Sequence, residues 1–324
     1  MKSLYNRLAS RALALCALTW LAPTIPAAMA LPAEGATPVA ELPYTLAYQG
    51  WFTVEGSLNG SGPHDFIVDS GATITSIFAN LAERQEFASS PGRTIQLLGL
   101  SGAQSMPAYV LGDLEFSGVK LEDHVGVILP DWAPPNTPPQ GVLGLDLLTR
   151  YAVHLDIEAK VFRLYAPETE LERRRRWTRV KMARFPSSGP AAKLFMVTLK
   201  VGPTSMPCVI DLGASGTIFN TPALRQMLED QLRNAVHQRG LRDGSRINDV
   251  FDISDRVQPV RIGRVKIGGA VWRNKVYVVY DAQIFKDLGY ENEPFCLVGA
   301  DIFAERSAVF DFAGERLYIG PRKK

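Results

Sequence analysis

The sequence predicts a mostly β fold written twice, with a pseudo-twofold internal repeat and few short helices. Three observations carry this. Short runs rich in Val, Ile and Leu alternate with turns punctuated by Gly, Pro and Ser along most of the 324 residues, which is the pattern of strands and hairpins. The stretch FTVEGSLNGSGPHDFIVDSGATITSIFANL, 52 to 81, aligns with FMVTLKVGPTSMPCVIDLGASGTIFNTPAL, 195 to 224. Farther on, GVLGLDLLTRYAVHLDIEAKVFRLY, 141 to 165, aligns with CLVGADIFAERSAVFDFAGERLYIG, 296 to 320, in the same order and at nearly the same offset.

The chain starts with a different composition. Lys2, Arg7 and Arg11 precede the apolar run ALALCALTWLA, which leads to the small-residue exit AAMA ending at Ala30. Basic, apolar and Ala-x-Ala in that order read as a secretory signal peptide, and the apolar run is shorter than the roughly 20 residues of a spanning helix. Cys16 follows Leu15 and not a small residue, so it is not read as lipid-modified. Residues 1–30 are therefore expected to be a leader, and the mature chain an exported protein, periplasmic or secreted. Cleavage removes three basic residues and no acid, which takes the formal charge from +2 to about −1. That balance implies no nucleic-acid or membrane-surface partner, and a monomer is expected.

Residues 31–48 form a lead-in that reads as a short propeptide, an added edge strand or a disordered segment. The first repeat is expected over 49–166 and the second over 191–324. Each is an alternating strand, a turn, a second apolar strand and an Asp-x-Gly-Ala turn, followed by several more short strands. The helix-like stretches are LDLLTRY, ADIFAER and TPALRQMLEDQLRNAVHQR, 221 to 239, with Pro222 at a first helical position. DWAPPNTPPQ, 131 to 140, carries four prolines and reads as a surface loop. The connector 167–190 is charged and helix-permissive. Its four consecutive arginines, interleaved nearby with glutamates, read as a solvated linker and not as an anion site.

The chemistry sits in the repeated turn. Asp69 and Asp211 each end an apolar strand, and Gly71 and Gly213 let the chain turn where a side chain would clash. Two such acids facing each other cannot both ionise readily, so one holds a proton while the other is charged. The pair can then activate a water against an amide carbonyl without metal, cofactor or covalent intermediate. A lone Asp-Ser-Gly also serves as an ordinary turn. Two copies at equivalent places, each with a downstream apolar-apolar-Gly segment, carry more. His64, His124, His154 and His237 show no metal-ligand spacing and no nucleophile-like context. Asp146, Asp156, Asp301 and Asp311 also repeat and are expected to cap helices or close turns.

VDSGA with VLGLDLL, and IDLGAS with LVGADIF, resemble the two-lobed aspartic proteases, closest to bacterial retropepsin-like and pepsin-like members, over roughly 49 to 320. The resemblance implies that fold, with Asp69 and Asp211 as the catalytic dyad of an endopeptidase acting on polypeptide in the cleft between lobes. It makes Val142-Leu143-Gly144 and Leu297-Val298-Gly299 the supports of the two turns. Ala72 and Ala214 match the retroviral-type form, whereas Thr73 and Ser215 match the small hydroxyl of pepsin-like members. An alanine cannot hydrogen-bond the ionised acid, which implies a less acidic dyad than pepsin's.

The residue after each Asp is usually Thr or Ser in this family, and its hydroxyl braces the opposite lobe. Ser70 can do so; Leu212 cannot. The alternative function is therefore a noncatalytic peptide-binding module with its dyad weakened by Leu212. LLGLSGAQ, 97 to 104, is either the flap over substrate, with Gly99 and Gly102 supplying flexibility, or an ordinary surface hairpin. In the family fold the strands bearing Cys208 and Cys296 lie side by side, so the two cysteines are either a disulfide or two buried thiols.

Overall fold

The computed structural model describes residues 29–32, 36–47, 50–84, 87–131, 138–167, 169, 171–174, 176–232, 246–248 and 254–322. The leader up to residue 28, most of the proline-rich loop, His237 and the second part of the stretch 221–239 lie outside them.

The fold is mostly β, and its logic starts at the two apolar strands that carry the aspartates. Ser61–Val68 pairs antiparallel with Phe52–Leu58, and Thr204–Ile210 pairs antiparallel with Phe195–Val201. A short strand then inserts beside each. Gly141–Leu143 runs parallel to Ser61–Val68, with Leu143 opposite Val68, and antiparallel to Ser76–Phe78. Cys296–Val298 runs parallel to Thr204–Ile210, with Val298 opposite Ile210, and antiparallel to Ile218–Phe219. The two inserted strands are buried along their length and the aspartate-bearing strands over their last three residues, which is why those stretches read as continuous apolar runs and not as alternation.

One pair of positions shows two solutions to the same packing problem. Cys208 sits opposite Cys296, and the two form a disulfide with Cα atoms 4.5 Å apart. Phe66 sits opposite Gly141 in the first repeat, where a β-carbon on the glycine would collide with the Phe66 ring.

The two repeats are joined edge to edge. Ala152–Asp156 pairs antiparallel with its counterpart Ala308–Asp311: Val153 faces Phe310 and Leu155 faces Ala308, with His154 opposite Val309 between them. That reciprocity is what a twofold relation between equivalent strands produces. Val161–Tyr165 and Arg316–Ile319 flank this pair on either side. One apolar cluster runs from Leu155 and Phe162 through Phe310 and Phe312 to Phe195.

Strands also form in segments the sequence leaves open or reads differently. Ala40–Leu46, from the lead-in, is a strand paired with both Val161–Tyr165 and Phe52–Leu58. Within the connector, where the sequence reads a helix-permissive linker, Leu171–Arg174, Thr178–Lys181 and Ala183–Arg184 are strands. Thr178–Lys181 pairs with Arg316–Ile319 and buries Val180, so sheet pairing overrides a composition that favours helix. Leu145–Leu148 and Ala300–Phe303 are the short helices expected after the glycine supports, and Thr221–Leu232 is the longer one.

Candidate active site

Both aspartates leave their strands through the same contact. The Asp69 N–H donates to the Leu143 carbonyl at 2.9 Å, and the Asp211 N–H donates to the Val298 carbonyl at 2.9 Å. Asp69 Oδ1 accepts the N–H groups of Gly71 at 2.7 Å and Ala72 at 3.0 Å. Asp211 Oδ1 accepts the Ala214 N–H at 3.0 Å. The structure brings the two carboxyls together in a hydrogen bond to each other.

The glycines are needed for close approach. A β-carbon on Gly71 would lie 2.6 Å from Asp211 Oδ1, and one on Gly213 would overlap the Asp69 carboxyl. Each turn thus clears space for the acid of the other repeat. Asp69 is buried and Asp211 partly so. Burial pushes both carboxyls up. Asp211 goes well above the usual range, first from burial and then from the charge of Asp69 beside it. Asp69 also rises through burial, but the Gly71 N–H, the hydrogen bond with Asp211 and the Ala72 N–H hold it back. The two carboxyls therefore titrate as a pair that holds one proton above the usual carboxylate range.

Ser70 and Leu212 divide the brace unequally. Ser70 Oγ donates to the Ile210 carbonyl at 2.9 Å and accepts the Leu212 N–H at 3.1 Å. The Leu212 side chain is buried in the core and returns no such bond. Thr73 and Ser215, matched to a family hydroxyl, are not among the hydrogen-bond partners of either carboxyl within the described residues; backbone N–H groups fill that role.

Behind each turn stands a strut that the sequence reading did not assign. Thr75 Oγ1 donates to Asp146 Oδ1 at 2.7 Å and accepts the Gly144 N–H at 3.0 Å. Thr217 Oγ1 donates to Asp301 Oδ1 at 2.8 Å and accepts the Gly299 N–H at 3.1 Å. Leu145 N–H donates to the Ala72 carbonyl and Ala300 N–H to the Ala214 carbonyl, both at 2.8 Å. Gly144 and Gly299 have no room for a β-carbon, which would lie 2.8 Å from the Ile74 carbonyl carbon and 2.5 Å from that of Gly216. Asp156 and Asp311 close turns as expected, accepting N–H groups from Glu158 and Ala159 and from Gly314. Asp146 and Asp301 instead reach back to the threonines. Burial pushes the Asp301 carboxyl up to about 6. His124 closes the first strut, its Nε2 2.7 Å from the Thr75 carbonyl oxygen. The signal for the struts was the threonine repeated at the same place after each Asp-x-Gly-Ala.

The hairpin Ala88–Gly99 and Gly102–Phe116 turns at Leu100 and Ser101, with Gly99 opposite Gly102. Its residues Ile95, Leu97 and Met106 share an apolar cluster with Ala72 and Ile74 of the Asp69 turn.

Residues 54–147, which span Asp69, this hairpin and the first glycine support, match a family model described as aspartyl protease. The match, which covers less than half of the chain, and the mostly β fold support a likeness to the aspartic protease family. No curated protein matches the sequence.

Proposed function

We propose that the chain is an exported aspartic endopeptidase that hydrolyses peptide bonds through Asp69 and Asp211. The observation that carries this is the pair of adjoining buried carboxyls, each held against the glycine of the opposite turn. A water between them loses its proton to ionised Asp69 as its oxygen attacks the amide carbon. Asp211 gives its proton to the carbonyl oxygen, so no full oxyanion forms. The tetrahedral diol then collapses: Asp69 passes its proton to the departing nitrogen, and one hydroxyl returns a proton to Asp211. Atoms and protons balance, and no cofactor enters.

Leu212 is the argument for a noncatalytic binding module. Its N–H nonetheless donates to Ser70, so the brace persists from one side and the carboxyls remain in contact, which favours catalysis. Export is supported by the leader pattern of 1–30 and by the Cys208–Cys296 disulfide, a bond that persists in oxidising compartments. Polypeptide is the substrate class, taken in the cleft bounded by the two turns and the hairpin. A statine-type peptide, which imitates the tetrahedral diol and uses both acids, tests the proposal. Saturable, tight inhibition of polypeptide cleavage is expected; cleavage indifferent to the compound contradicts it.

A further inference from the structure

The outward face of the second repeat's sheet carries a block of positive charge. Gln258–Ile267 pairs with Phe195–Val201 on one side and Ala270–Val279 on the other. Leu199, Val201, Val265 and Ile267 are buried, so the residues between them, Lys200 and Lys266, face outward. Arg264, two residues before Lys266, and Arg273 are exposed on the same face. Lys200 stands directly opposite Lys266, and Arg264 directly opposite Arg273. Like charges so placed lie about 5 Å apart at their β-carbons and destabilise a sheet. None of the four forms an ion pair among the described residues. Glu305, the acid bound to Lys275 on the same strand as Arg273, is shared with Arg322. Thr198, Ser205 and Val271, at neighbouring outward positions, bring no acid.

The first repeat shows that the fold does not require this. Ser57 takes the place of Lys200, opposite Glu115, and Glu115 stands opposite Lys120. Glu115 and Lys120 pair at 3.2 Å, so the row is balanced where the second repeat puts Lys200, Lys266 and Val271. The near-neutral total of the chain hides this local excess. Spacing sets the shape of the counter-charge. Arg264 and Lys266 alternate along one strand, about 7 Å apart, and an extended polypeptide repeats its side chains on one face at the same interval. Carboxylates at alternate positions therefore meet both, with Lys200 and Arg273 on the adjoining strands to either side.

We propose that this face binds an extended acidic segment of polypeptide, with carboxylates at alternate positions, and so selects the polypeptides the chain cleaves. The selection rests on the endopeptidase reading; the binding does not, and it is measured without hydrolysis. The probe is a labelled peptide of alternating Glu and Thr, followed by fluorescence anisotropy with the full mature chain in its Asp69→Asn form, so that the probe stays intact. Saturable binding is expected, weakening as salt rises from about 50 to about 500 mM, while a peptide of alternating Lys and Thr does not bind. Lys200→Ser, Lys266→Glu and Val271→Lys together rebuild the row of the first repeat. They are expected to weaken binding ~10-fold with an unchanged melting temperature, and Arg264→Gln with Arg273→Gln acts in the same direction. Equal affinity of parent and both variants overturns the proposal, as does equal binding of the two peptides. So does binding to phosphatidylglycerol vesicles, or self-association of the chain, in place of peptide binding. In the active chain an acidic tag is expected to lower the KM of a polypeptide, and a KM indifferent to the tag overturns the selection. Peptide binding by a chain that hydrolyses nothing supports the surface and counts against the endopeptidase reading alone.

Discussion

Gly213 stands so close to the Asp69 carboxyl that no β-carbon fits between them, and Gly71 stands in the same way to Asp211. The two turns are therefore not independent: each acid is placed by the backbone of the other repeat. Gly71→Ala and Gly213→Ala are expected to push the acids apart. A displacement of about 1 Å costs ~100-fold in rate, and overpacking costs about 1–3 kcal/mol of stability. Steady-state hydrolysis with thermal melts measures both, and an alanine variant with unimpaired kcat contradicts the geometry.

Ser70 carries the brace from its side alone. Ser70→Ala removes the acceptor of the Leu212 N–H and the donor to the Ile210 carbonyl, both buried. Leaving such groups unpaired costs about 1–3 kcal/mol. Denaturant unfolding is expected to show a loss in that range, with a fall in kcat; equal stability and activity would mean that the brace does nothing.

The proton distribution predicts a pH profile. Hydrolysis by the proposed pair needs one carboxyl ionised and the other protonated, and burial raises both. The alkaline limb of activity therefore lies above the ordinary carboxylate range, and the optimum is less acidic than pepsin's. A maximum at about pH 2 contradicts this.

Asp301 makes a separate prediction for stability. Its carboxyl is raised to about 6 in the fold, so the folded chain binds a proton more tightly than the unfolded chain does. Its contribution is complete at low pH and is lost as pH rises from about 4 to about 6, on the order of 3 kcal/mol. Asp301→Asn should flatten that part of the stability curve while keeping an acceptor for Thr217. A curve identical to that of the parent chain contradicts the assignment.

The disulfide links residues 88 apart in sequence and ties the Asp211 strand to its support. Its loss in Cys208→Ser with Cys296→Ser should cost about 2–5 kcal/mol. Intact mass with and without reductant should differ by about 2 Da under denaturing conditions; equal masses mean two thiols.

Much of this is legible in the sequence alone. The Asp-x-Gly-Ala turn and the apolar-apolar-Gly support are local patterns repeated in order, and repetition placed Asp69 and Asp211 at equivalent positions. The partner of each glycine was not legible. Gly71 reads as a turn residue, whereas its crowding neighbour is Asp211, a contact that exists only after the repeats dock. Thr75 and Thr217 were visible as a repeat, yet their role depends on Asp146 and Asp301 reaching back, which spacing does not show. Thr178–Lys181 was hidden by its charges, because its strand conformation comes from pairing with Arg316–Ile319.

The most direct test of the central claim is cleavage of unfolded polypeptides from pH 3 to 7 by the mature chain beside Asp69→Asn and Asp211→Asn. The shared carboxyl pair predicts that each substitution alone abolishes hydrolysis. Undiminished cleavage by either variant contradicts a mechanism that runs through both acids.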